Sequence, residues 1–299
     1  MGKFHQYVTA IAASFGSLAM GLLNVWPSYT QILYKNATLT PLDEPMGPVQ
    51  LSLLGSLPSL GAMLGTAVVG LLMQRLGRKR AGIIISLPFV LSWSIISATR
   101  SSLIVLIARF ISGAGGGAFL VYGPVFISEV AESSIRGTLA SGPVAFYCLG
   151  VLISYLLGWF QTYKTIIYLN IAASVFCLTL QMLVAESPVY LLNKGKEEEA
   201  RASIAHYRGA SVASKPVLEE LSRLKQQITP SIELVPTENP DVEQKPAEGE
   251  TEKLNQEQVE YRKQSILQIL IATLSNPAFR RGMLIVATAL TMQVKLEQF

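Results

Sequence analysis

Charge is scarce in this sequence: Asp, Glu, Lys and Arg supply 15% of its 299 residues, against about 25% in an average soluble domain. That shortage excludes an ordinary water-facing surface, since 50% of the residues are hydrophobic. Histidine and cysteine are nearly absent too. His5 and His206 fall outside the apolar runs, and Cys148 and Cys177 fall inside them. Neither a metal centre, a histidine-based catalytic site nor a disulfide framework is expected from so few such residues. Segments of the form GxxxxGK[ST], HExxH and GxSxG are missing, so no enzyme chemistry and no cofactor are expected. The net charge of +4 comes from short basic clusters between apolar runs, without an aromatic-interleaved basic face. Nucleic acid is therefore not expected as a partner.

What the sequence does have is long uncharged stretches. A helix needs roughly 20 apolar residues to cross a bilayer, and suitable runs lie near Tyr7–Trp26, Val49–Met73, Ala81–Thr99, Ser102–Phe126, Thr138–Trp159 and Thr165–Ala185. An all-α polytopic membrane protein follows, with membrane lipid as its surroundings. Only the fourth run contains a charge, Arg109. It either faces the protein interior as a functional residue or reaches toward the interface from near the helix end.

Lysine and arginine in the short loops set the orientation. Lys3, Arg75, Arg78, Lys79, Arg80 and Arg136 fall on one side, and Lys35, Arg100 and Lys164 on the other. The first side is expected to be cytoplasmic, with the amino terminus there and the plasma membrane as the location. Asn36-Ala37-Thr38 is an N-glycosylation acceptor on the opposite side.

Beyond residue 187 the character changes. Residues 188–228 read as cytoplasmic amphipathic helices, with Val217, Leu221, Leu224 and Ile228 at helical spacing. Residues 229–252 hold four prolines and mostly acidic charge, a composition that predicts a disordered linker. Residues 253–278 read as a further amphipathic helix. Residues 279–299 begin a seventh apolar run, too short to span.

"GAGGGA", residues 113–118, has the letters of a dinucleotide fingerprint, but it lies within a predicted span rather than between a strand and a helix. Gly113 with Gly117, and Gly61 with Gly65, are instead small residues four apart that let helix backbones approach closely. Charges gather at the helix ends on the basic side: Arg75, Arg78 and Arg80 after the second span, Glu129 and Arg136 around the loop after the fourth, and Glu186 after the sixth. They form either an ionic network that opens and closes or a set of headgroup anchors.

Three segments carry a resemblance: "GLLMQRLGRKR", "ARFISGAGGGAFLVYGPVFISEVAESSIRGTL" and "AESPVYLLNKGKEEEA". In this order and spacing they resemble the signatures of the sugar porter family of the major facilitator superfamily, over about residues 7–230. "LPFVLSWSII" and "SLLGSLPSLGAMLG" are similar to the insect facilitated trehalose transporter branch. The resemblance implies two six-helix halves that rock around a sugar held between them. It also implies a cytoplasmic gate at Arg75, Arg78, Arg80, Glu129, Arg136 and Glu186.

Several positions depart from the family pattern. Gln74 stands where the loop motif has an acidic residue, and Ala185 and Val189 replace the proline and arginine of P-E-S-P-R. Val144 stands where glucose-transporting members carry a sugar-binding glutamine. Asn24, Tyr147 and Tyr155 are the polar groups expected to face a sugar cavity, or else to bond between helices. No span holds an Asp or Glu placed as a proton relay, which favours facilitated diffusion. The family's seventh helix runs through a Gln-Gln motif where this sequence reads "LTMQVKLEQF". The expectation is thus an amino-terminal half, either a piece of a trehalose-type transporter lacking its carboxy-terminal half, or a non-transporting protein that pairs with a complete transporter through its cavity face.

Overall fold

The computed structural model describes residues 3–228. Their elements are α1 (Phe4–Lys35), α2 (Pro48–Leu76), α3 (Arg78–Ala98), α4 (Ser102–Val130), α5 (Arg136–Ala140), α6 (Gly142–Phe160), α7 (Tyr163–Leu183), α8 (Pro188–Asn193), α9 (Glu197–Arg208) and α10 (Lys215–Ile228), with no strand among the described residues. Among the described residues six helices are long and apolar enough to cross a membrane, α5 and α6 together forming the fifth. The linker, the later amphipathic stretch and the seventh apolar run expected after residue 228 lie outside the described residues.

The helices outrun the uncharged stretches. α1 continues nine residues past Trp26 to Lys35, because Pro27 removes one backbone donor without ending the helix. Pro58, Pro88 and Pro124 likewise lie inside α2, α3 and α4. In an isolated helix each interior proline costs about 3 kcal/mol, so these helices depend on partners for the carbonyls that the prolines leave free. The fifth span is interrupted at Ser141, two residues before Pro143, which lies in the first turn of α6 and has no N–H to donate back to Leu139.

The glycine pairs act as close-packing points. A Cβ on Gly61 or Gly65 of α2 would collide with the backbone of Phe110 or Ala114 of α4, and one on Gly113 or Gly117 would strike Pro58 or Ala62. The two GxxxG faces therefore interlock, and α2 and α4 form the most extensive helix contact of the bundle. Gly21 and Gly150 play the same part between α1 and α6, against Tyr147 and Leu18. α1 and α4 fill the centre, where Trp26, Phe89, Trp93, Phe119, Tyr122 and Phe126 are fully buried. Large apolar side chains such as Leu60, Leu71, Leu152 and Phe176 are exposed on the outward faces, as hydrocarbon surroundings permit.

After α7 the chain forms a small three-helix unit. Leu191, Ala200, Ile204, Val217 and Leu221 make its core, which accounts for the helical spacing of apolar residues in the sequence. Gly209, at φ 58°, closes α9 in the left-handed conformation, and Ala210 N–H donates to Ala205 O at 3.1 Å.

Candidate functional site

The basic end of the bundle is built around Gly77. This residue alone separates α2 from α3, and its φ of 91° favours glycine because a Cβ there is strained. A Cβ would also occupy the space of the Glu186 carboxylate and the Tyr190 ring. Into that space Glu186 comes from the segment after α7. Its Oε1 accepts from the N–H of Arg78 at 2.6 Å and from Lys79 N–H at 3.2 Å. Glycine offers no side-chain cap of its own, so a carboxylate distant in sequence caps α3, at the helix end where negative charge is favoured.

Arg78 ties the same point to α4. Its Nη2 lies 2.5 Å from Glu129 Oε1, with the two side chains only 12% and 13% exposed. Its Nη1 donates to Met73 O at the end of α2, 3.3 Å away. Ser187 Oγ donates to the other Glu129 oxygen at 2.6 Å, and Tyr190 OH donates to Arg75 O at 3.1 Å. An exposed ion pair contributes about 1 kcal/mol at most. This one is withdrawn from water and shares its oxygens with further donors, which strengthens the attraction and raises the cost of breaking only one partner.

Three of the charges named from the sequence do not join. Arg75, Arg80 and Arg136 are exposed and form no ion pair among the described residues; Arg136 Nη2 donates to Ala131 O at 3.2 Å. Other residues take their place. Gln6 donates to Tyr207 O at 3.0 Å and accepts from Glu132 N–H at 2.9 Å. Tyr207 OH donates to Ala185 O at 2.7 Å, and Ser203 Oγ to Glu186 O at 2.6 Å. Arg208 reaches Val130 O at 3.1 Å and pairs with Glu220. Through these bonds α9 bridges the beginning of α1 to the ends of α4 and α7. Bonds of this kind, mostly to backbone groups of distant segments, carry no motif, and only the regular helical spacing of α9 signalled an element there.

Arg109 is 1% exposed and reaches no interface. Its Nη1 donates to Leu23 O at 2.9 Å and its Nε to Leu54 O at 3.3 Å. Leu23 stands four residues before Pro27, and Leu54 four before Pro58. These are the two carbonyls that the prolines leave without an intrahelical donor. One guanidinium therefore repairs both breaks and staples α1 to α2, with its charge 5.4 Å from the centre of the buried Trp26 ring.

Of the residues proposed for a sugar cavity, two meet. Asn24 Nδ2 donates to Tyr147 OH at 3.1 Å on an exposed face. Val144 and Tyr155, 66% and 55% exposed, lie on the same side of α6, three turns apart. Asn36 is exposed just after α1, where its Oδ1 accepts from Thr38 N–H at 3.0 Å and Thr38 Oγ1 at 2.8 Å.

Known proteins share this architecture. A model of the family described as "Sugar (and other) transporter" matches residues 9–292, which takes in the six spans and the ionic junction. The chain belongs to the sugar transporter family. This sugar transporter sequence is 29% identical over 218 residues to "Facilitated trehalose transporter Tret1" of Drosophila willistoni, covering 73% of this chain and 25% of that protein. It is 28% identical over 218 residues to the "Facilitated trehalose transporter Tret1-2 homolog" of Drosophila sechellia, with 73% and 44% covered. The chain thus spans a quarter to less than half of these relatives.

Among solved structures, the xylose transporter XylE of E. coli in a partially occluded inward-open conformation superposes with a TM-score of 0.63 at 22% identity, over 75% of this chain and 59% of that one. XylE bound to 6-bromo-6-deoxy-D-glucose gives 0.63 at 20% identity, over 76% and 54%. The six-helix block has the fold of the amino-terminal part of a major facilitator superfamily protein, and the sugar transporter chain is an integral membrane protein.

Proposed function

We propose that this chain supplies the amino-terminal half of a facilitated sugar transporter working by alternating access, with trehalose or a related sugar as substrate. The observation that carries the reading is the Asn24–Tyr147 pair. It places neutral donors and acceptors on an exposed face of an otherwise apolar span, suited to an uncharged polyol. The names of the curated relatives support trehalose as the sugar. Asp and Glu are missing from the interiors of the spans, which favours passive exchange over proton coupling.

In this reading the face bearing Asn24, Val144, Tyr147 and Tyr155 is covered by a second six-helix half. The Arg78–Glu129–Glu186 junction is the gate that holds the ends of α2, α3, α4 and α7 together in one state and separates in the other. Arg75, Arg80 and Arg136 serve as headgroup anchors around it. The basic end faces the cytoplasm, with the amino terminus, and the membrane is the plasma membrane. Asn36 is the glycosylation site on the outer side.

Counterflow of radiolabelled trehalose and glucose in vesicles tests this, using this chain alone and together with a carboxy-terminal six-helix half. Saturable exchange that needs both halves and is lost in Asn24→Leu supports the reading. Absence of exchange for every sugar, even with both halves present, would overturn it and favour a regulatory partner of another transporter.

A further inference from the structure

We propose that the bundle end opposite the ionic junction holds a binding site for the phosphate of a lipid headgroup, made by Arg100, Lys164 and the amino-terminal end of α7. A cavity of about 420 Å³ lies there between the end of α3 and the start of α7, with Thr99, Arg100, Tyr163, Lys164, Ile167 and Tyr168 on its wall. Its size falls within the range of roughly 300–1,000 Å³ typical of small-ligand sites. Arg100 and Lys164 come from different loops, are both exposed, and pair with no carboxylate among the described residues. Asp43 approaches Arg100 only through its backbone N–H, which donates to Arg100 O at 3.1 Å. Neither Asp43 nor Glu44 lines the cavity.

A third source of positive potential adds to the two side chains. α7 is a 21-residue helix that starts at Tyr163 on the cavity wall, and the side chain of its cap residue Thr162 accepts no bond from a backbone N–H of the first turn. The Thr162 hydroxyl is engaged with that of Thr165 at 2.8 Å instead. The first N–H groups of α7 therefore lack a side-chain acceptor, and such helix ends attract phosphate. The carbonyl end of α3 opens on the same space, where Arg100 just beyond the cap offsets its negative potential. Leu91 and Leu169 are exposed on α3 and α7, the two helices that frame the cavity, and give acyl chains an apolar surface. That surface favours a lipid over a free anion.

Native mass spectrometry of the purified chain tests the site with three probes: phosphatidylglycerol, diacylglycerol with the same acyl chains, and inorganic phosphate. Retention of phosphatidylglycerol but not diacylglycerol is expected, with affinity falling about tenfold or more in the Arg100→Gln/Lys164→Gln variant. Lys35→Gln, which removes a cation at the same end that does not line the cavity, should change nothing. Circular dichroism checks that the double variant keeps its helices; if it loses them, charge-neutral acetylation of Lys164 in the folded wild-type chain replaces it, with the same loss of retention expected. Saturable binding of inorganic phosphate in place of the lipid would retain the phosphate chemistry and overturn the lipid source. Equal retention of phosphatidylglycerol by wild type and double variant overturns the site.

Discussion

At one end of the bundle Arg78, Glu129 and Glu186 join the ends of four helices through charge, whereas toward the other end Tyr34 and Tyr163 meet hydroxyl to hydroxyl at 2.6 Å beside Trp26. There the Trp26 ring meets those of Tyr34 and Trp93 edge-on, at 5.8 and 5.5 Å. The contrast concerns reversibility. Ionic partners can exchange one another for water and headgroups when they part, so their separation is offset in either state. Interlocked aromatic rings have no such substitute and lose contact area outright when pulled apart. One end of the bundle is thus held by charge and the other by packed rings.

The comparison can be broken most severely at Arg109, on the aromatic side. Arg109→Leu leaves the carbonyls of Leu23 and Leu54 unpaired inside the protein. It is expected to destabilise the chain by about 2–4 kcal/mol, measured by unfolding in mixed micelles. A loss no larger than that of a lipid-facing substitution such as Leu152→Ala would show that the staple carries little. At the ionic end, Gly77→Ala strains a positive φ and displaces the Glu186 carboxylate, for an expected cost of about 2 kcal/mol. Adding Glu186→Gln to that variant should cost less than adding it to the wild type, since the carboxylate has already lost its seat; simple additivity would count against the cap. The smallest effect sharpens the difference in character. Tyr163→Phe leaves the buried Tyr34 hydroxyl without its partner and should cost about 1 kcal/mol. That cost should be the same at low and high salt, whereas a strong salt dependence would mean that this end too is held electrostatically.

The spans, the glycine seams and the three main charges of the junction were legible because each rests on a local rule: apolar length, small-residue spacing, charge at a helix end. Arg109 was visible as an anomaly, but its role was not, because the carbonyls it serves are set by prolines 82 and 51 residues away in sequence. Arg75, Arg80 and Arg136 look the same as Arg78 in a string of letters. Only the fold shows that Arg78, the first residue of α3, is turned inward by Gly77 while the others project outward. Gln6, Ser187 and Tyr207 escaped notice because neutral hydrogen bonds between distant segments leave no periodic trace.

The guanidinium of Arg109 also constrains how this sequence can be changed. Pro27→Ala would place an amide N–H at position 27, and that amide would compete for the Leu23 carbonyl now held by Arg109. The substitution would improve α1 as a helix and at the same time leave a buried cation short of an acceptor. Pro27, Pro58 and Arg109 thus form an epistatic trio, in which a single repair is harmful and only concerted replacement of both prolines and the arginine would make α1 and α2 self-sufficient helices.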